Sequence, residues 1–155
     1  MDIIRASADH AQTVGSLLHA FNAEFGENEP SAAELSGRFA VLLTRPDVLV
    51  HLAVDGQEAV GFAFTTLRPT PYFDGPLGQL EELYVQPARR SGGVGTLLLE
   101  RLIADLTATG CEELMINVDE PDTDARRFYE RHGFFHQDPS TGDAMLGYLR
   151  PLNQP

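Results

Sequence analysis

The 155-residue chain contains no lysine: all 11 basic side chains are arginines, set against 23 acidic ones for a formal charge of −12. That absence excludes Schiff-base and pyridoxal lysines, a P-loop lysine and a lysine general base. Cysteine is almost absent as well. The single Cys111 cannot close an internal disulfide and fits no zinc spacing, and the five histidines show no ligand spacing, so no metal is expected. No apolar run approaches the roughly 18 residues of a membrane span, and Met1-Asp2 opens no signal-peptide pattern. A cytoplasmic protein with no membrane partner is therefore expected. The shortage of positive charge argues against a nucleic-acid surface and favours cationic partners. Repeats, low-complexity tracts and linkers are lacking too. With 43% apolar residues the chain can build its own core, so a single domain over 1–155 is expected.

What is present reads as a mixed α/β order. Residues 2–6 form a short strand, and Ser7 and Asp9 offer caps for a helix carrying Val14, Leu17, Leu18, Phe21 and Phe25 at helical spacing. Ser31 and Glu34 make a capping box for a second helix, which Pro46 ends. Strands at 48–54 and 58–67 flank Asp55-Gly56, a strong hairpin signal. A loop over 68–78, broken by three prolines and two glycines, leads to a strand at 79–85. A helix over about 93–109 stops at Gly110, a strand follows at 114–118, and a helix over about 123–132 stops at Gly133. Strands at 134–137 and 144–150 are expected to finish the sheet.

The most informative segment is Leu80-Glu-Glu-Leu-Tyr-Val-Gln-Pro-Ala-Arg-Arg-Ser-Gly-Gly-Val-Gly95. A strand feeds a glycine-rich turn, and the turn feeds a long helix. The backbone N–H groups of roughly residues 91–96 are then left at a helix N-terminus, where bare glycines let an anion approach closely. Arg89 and Arg90 add two guanidinium groups. In physical terms this is a pyrophosphate cradle. A P-loop is excluded because no lysine follows, and Gly93-Val-Gly95-Thr-Leu-Leu98 fails the dinucleotide fingerprint at its third position.

Arg90-x-x-Gly93-x-Gly95, preceded by Leu83-Tyr-Val85 and Pro87, resembles the acyl-CoA signature of the GNAT N-acetyltransferase superfamily. Ala125-Arg-Arg-Phe-Tyr-Glu-Arg-His-Gly-Phe134 resembles that family's Ala-x-x-Phe-Tyr-x-x-x-Gly-Phe, and the opening Ile4-Arg5-Ala6 with Asp9 also fits. The resemblance covers essentially the whole chain. It implies the acyl-CoA N-acyltransferase fold: a mixed, mostly antiparallel sheet of six to seven strands flanked by four helices.

By the same resemblance, Arg90, Ser91, Gly92, Gly93, Val94, Gly95 and Thr96 would bind the CoA pyrophosphate. Leu83, Tyr84 and Val85 would pair with pantetheine, and the amide near Val85 would hold the oxyanion. Tyr129 would protonate the departing thiolate, because a phenol of ordinary pKa about 10 is protonated at neutral pH. Leu80-Glu-Glu-Leu-Tyr-Val resembles the polyamine-type members, whose first carboxylate is the proposed base. By that resemblance Glu81 is expected over Glu82 as base or cation binder, and alternation along a strand leaves at most one of the two facing a given cleft. Asp122 replaces the family's frequent asparagine; it can cap the last helix but cannot donate an amide to pantetheine. Asn117 is expected to offer a polar contact instead, and Arg126 is a candidate for a CoA phosphate. Tyr72 and Phe73, in the 68–78 loop, are candidate walls of the acceptor site.

The function implied is an acetyl-CoA-dependent N-acetyltransferase. A primary amine, expected to be a small cationic molecule, attacks the thioester directly through a tetrahedral intermediate. Two alternatives stand beside it: a non-catalytic CoA-binding sensor, and an acetyltransferase of protein N-termini. A homodimer is compatible with the resemblance.

Overall fold

The structure is a computed structural model and describes residues 1–152. It divides into two compact units, Met1–Ile116 and a second beginning at Asn117.

In the first unit, β1 (Asp2–Arg5), β2 (Val48–Asp55), β3 (Glu58–Arg68), β4 (Leu77–Val85) and β5 (Leu114–Ile116) lie side by side in chain order. The first four pair antiparallel and β5 joins β4 in parallel. The sheet is mixed and mostly antiparallel, as expected, but it has five strands among the described residues rather than six or seven. The two missing strands are those expected at 134–137 and 144–150, which are reduced to one bridge between Gln137 and Ala144. Asp138 explains the local geometry. Its Oδ1 accepts from the Ser140 and Thr141 amides, and Gly142 N–H donates to its carbonyl, closing a tight turn without a ladder on either side.

Helices α1 (Ala11–Glu24) and α2 (Ala32–Leu42) cover one face of the sheet. The capping box is formed: Ser31 N–H donates to Glu34 Oε2 at 2.9 Å and Glu34 N–H to Ser31 Oγ at 3.3 Å. Val14, Leu17 and Phe39 pack there with Val50, Leu52, Phe62 and Tyr84. Gly15 lets the two helices approach, since a Cβ in its place would lie 2.5 Å from the Ser36 backbone nitrogen. Helix α3 (Val94–Ala108) covers the other face with Leu98, Leu99, Leu102 and Leu106. On that face the buried His51 of β2 meets Asp105 of α3, Nε2 to Oδ2 at 2.8 Å.

The second unit contains α4 (Thr123–Arg131), capped by Asp122, whose Oδ1 accepts from Ala125 N–H at 3.0 Å. Gly133, at φ +86°, ends the helix and turns Phe134 back so that its N–H donates to the Tyr129 carbonyl.

Candidate active site

The registers of β3 and β4 shift between Phe64 and Thr65: Phe64 faces Glu82, while Thr65 faces Leu80. Glu81 is the extra residue of a β-bulge. Strict alternation would send Glu81 and Glu82 to opposite faces, but the bulge suspends it. The Glu81 carboxylate accepts from the Thr66 hydroxyl, on the same side of β3 as Phe64. Both carboxylates therefore emerge on the face covered by α1 and α2. Glu81 is exposed and Glu82 half-buried. Burial lifts the Glu82 carboxyl above the ordinary carboxylate range, and the Glu81 charge pushes it further.

Below the bulge, β4 pairs with β5 only through Gly78, Gln79 and Leu80. The β5 strand ends at Ile116, two residues short of its expected end, so Asn117 is an exposed residue outside the sheet. The ladder with β5 thus stops before Leu83, Tyr84 and Val85. Leu83 and Val85 are half-buried, whereas the Tyr84 ring is buried between Phe21, at 5.1 Å, and Phe62, at 6.2 Å. Burial raises the Tyr84 phenol above its usual value, and the Glu24 charge adds to it.

After a 3-10 turn at Pro87–Arg89 the backbone reaches the expected cradle. Ser91 has φ +64° and Gly93 φ +81°, both in the left-handed region. Successive residues of alternating hand direct their N–H groups into one concavity, the geometry of an anion nest. Gly93 is the N-cap of α3, and the first helical bond runs from Leu97 N–H to the Gly93 carbonyl at 3.0 Å. The first-turn amides at Val94 and Gly95 precede that bond. Beyond its own chain neighbours, no described residue comes within 4 Å of a Cβ placed at Gly93, so its side is open to a ligand. The chemistry of this backbone, open amides at a helix N-terminus, suits a phosphate-type anion.

The two arginines beside the cradle are already engaged. Arg89 pairs with Asp55 at 2.9 Å, on the β2–β3 hairpin. Arg90 directs one terminal nitrogen to both Glu24 oxygens at 2.8 Å and its Nε to the Val85 carbonyl at 2.9 Å. Its guanidinium carbon lies 5.7 Å from the centre of the Tyr84 ring. Beside these paired guanidinium groups, the donors of the cradle itself are backbone amides at a helix end. Glu24 was not foreseen in the sequence, because it is 66 positions from Arg90 and nothing local marks it.

The loop expected at 68–78 is shorter, since β3 runs to Arg68 and β4 starts at Leu77; within it Tyr72 is exposed and Phe73 half-buried. Neither lines the open depression beside them, which is formed by Asp47, Leu67, Arg68, Thr70, Asp74 and neighbouring prolines and glycine.

In the second unit Tyr129 is buried, with its ring 5.2 Å from Phe128 and 5.4 Å from Phe134 in edge-on contact. Arg126 donates to the Glu120 carbonyl at 3.1 Å, bracing the entry to α4. Asp122 serves as the cap described above. Among the described residues, no three His, Cys, Asp or Glu side chains form a metal-binding group, and no helix is long and apolar enough to cross a membrane.

Residues 14–134 match the Acetyltransferase (GNAT) family. The chain belongs to this family. The matched span takes in β4, the amide cradle and Tyr129, so the GNAT signatures lie on the elements just described. Among solved structures, a protein of Arthrobacter sp. FB24, provisionally named an acetyltransferase, superposes with a TM-score of 0.90 at 41% identity, covering 98% of this chain and 96% of that one. The GNAT chain is also 38% identical over 91 residues to aminoglycoside N(6')-acetyltransferase type 1 of Stenotrophomonas maltophilia, covering 56% of this chain and 58% of the relative. Mycothiol acetyltransferase of Thermobispora bispora is 37% identical over 84 residues, 54% of this chain but 28% of that protein. The chain thus spans only about a quarter of that longer relative.

Proposed function

We propose that this chain is a single-domain, acetyl-CoA-dependent N-acetyltransferase acting on a small cationic primary amine. The observation that carries the reading is the run from β4 into α3. It joins a strand segment, Leu83–Val85, paired with β3 but left without a ladder on its β5 side, to a nest of amides at Ser91–Gly95 within a family of acetyltransferases. Acetyl-CoA supplies the activated acyl thioester. The residues that would hold it are the cradle amides for the pyrophosphate and the backbone of Leu83, Tyr84 and Val85 for the extended arm. The amide near Val85 would donate to the thioester carbonyl as charge develops there, a contribution of order 10²–10³ in rate for such a donor.

The acceptor reading rests on the bulge. An alkylammonium with a pKa of about 10.4 must lose a proton before it attacks. Two adjacent carboxylates on one face attract such a cation, and the one with the raised pKa is the better proton acceptor. Glu82 is therefore assigned the base, acting directly or through water, and Glu81 the cation binder. This departs from the order implied by the polyamine-type resemblance; with alternation suspended at the bulge, both carboxylates are available on one face. Tyr129 is assigned the proton donor to the departing thiolate, on the strength of the Ala125–Phe134 motif. The aminoglycoside relative supports an amine acceptor, and the acidic surplus favours a cationic one.

The test is thiol release from acetyl-CoA across a panel of polyamines, aminoglycosides, amino-acid derivatives and short peptides. Release with small cationic amines is expected. Binding of CoA without release on any amine would turn the reading toward a sensor, and release with peptides alone toward protein N-termini.

A further inference from the structure

Arg90 links β4 to the amide cradle, and the manner in which its guanidinium is held has a functional consequence. Its backbone is still extended, at φ −69° and ψ 160°, and the left-handed Ser91 follows at once. The side chain folds back over the Tyr84 ring, and its Nε donates to the carbonyl of Val85, at the end of β4. Those two contacts are local and leave the terminal nitrogens without direction. The direction comes from Glu24, at the end of α1, whose two oxygens both lie 2.8 Å from one terminal nitrogen. Tyr84 is itself buried against Phe21, one turn earlier on the same helix. Helix α1, the end of β4 and the start of the cradle therefore meet at one guanidinium.

We propose that Glu24 is a positioning residue for the donor site, holding Arg90 so that it braces the Val85 carbonyl and fixes the cradle relative to the end of β4. The proposal rests on the assignment of the cradle to CoA. Glu24 does not itself touch the donor. It keeps the Arg90 donors on protein acceptors, so the phosphates are read by pre-arranged amides rather than by a swinging side chain. A planar fork satisfied on two sides at once is what arginine supplies and a point-charge ammonium does not.

The experiment is calorimetric titration of the full chain with CoA, together with thermal melts. Losing a charge-assisted hydrogen bond of this kind corresponds to about a tenfold change in an equilibrium constant. Glu24→Ala is expected to weaken CoA about tenfold and Glu24→Gln, which keeps one acceptor oxygen, by less, with melting temperatures little changed. In a double-mutant cycle with Arg90→Lys, the double variant should bind no more weakly than the weaker single variant. If the wild-type chain fails to bind CoA, the cradle assignment falls and this proposal with it. If wild type binds and Glu24→Ala binds equally well, the proposal alone falls. Tighter binding by either Glu24 variant also overturns it, because Glu24 would then be masking Arg90 from the phosphates. Additive losses in the cycle would show that Glu24 does not act through Arg90. Should Glu24→Ala not fold, Glu24→Gln and the cycle built on it decide.

Discussion

Glu81 and Glu82, adjacent in β4, present their carboxylates to the same face of the sheet because only Glu82 has a partner across the β3 ladder. The pair is a like-charge couple, and burial of Glu82, with the Glu81 charge beside it, raises the Glu82 pKa. If Glu82 is the base, kcat/KM for the amine should rise with pH through the raised pKa of Glu82. Glu82→Gln should lower turnover by about 10²–10⁴-fold, the usual worth of a general base. Glu81→Gln should move the same acid limb to lower pH by removing the neighbouring charge, with a smaller rate loss. A pH–rate profile of the three proteins checks this, and an unmoved limb in Glu81→Gln would end the coupling argument.

The same shift makes a prediction about stability. A carboxyl whose folded pKa is raised holds its proton more tightly folded than unfolded. Stability is then highest below the ordinary glutamate pKa of about 4.3 and declines as pH rises through the raised value. Glu82→Gln should melt above wild type at pH 7, and the difference should close in acid. Melting curves from pH 4 to 8 give the comparison.

His51 works in the opposite direction. Burial lowers its pKa and outweighs the Asp105 hydrogen bond, which favours the charged form. A histidine with a depressed folded pKa contributes stability above its ordinary value of about 6.5, and that stability is lost as pH falls toward the depressed one. His51→Leu should flatten the fall in melting temperature on the acid side of pH 6.5. Asp105 keeps Arg101 as a partner at 3.0 Å in that variant.

Two left-handed residues shape the cradle, and substitutions there should separate stability from donor binding. Ser91→Gly relieves a strained φ and should raise stability by up to about 1–2 kcal/mol. Gly93→Ala meets no atom but forces a side chain to φ +81°, at a cost of about 1–2 kcal/mol, and should weaken CoA binding by disturbing the nest. Denaturant melts and CoA titration test both. A Gly93→Ala protein with unchanged stability and CoA affinity would contradict the assignment.

Tyr129→Phe keeps the buried ring and its contacts with Phe128 and Phe134 while removing the hydroxyl. If the phenol protonates the leaving thiolate, kcat should drop by about 10²–10⁴-fold. CoA affinity should stay within about twofold, since the packing is retained. Equal losses in kcat and affinity would assign the residue to binding instead.

Where the controlling interactions span a few residues, the sequence alone was enough. The capping box at Ser31 and Glu34, the Asp55-Gly56 hairpin, the helix stops at Gly110 and Gly133 and the glycine turn at 91–95 follow from torsional preference, capping and side-chain period. Their chemistry needs no distant partner, and together they marked the family. Tertiary structure alone decided the β4 bulge, which depends on register between two strands and reassigns Glu81 and Glu82 to one face. It alone brought Glu24 to Arg90 and Asp55 to Arg89, ion pairs that no local pattern in the sequence marks. It also withheld a ladder from the apolar stretches at 134–137 and 144–150 that read as strands, because β propensity is realised only where a neighbouring strand completes the hydrogen bonds.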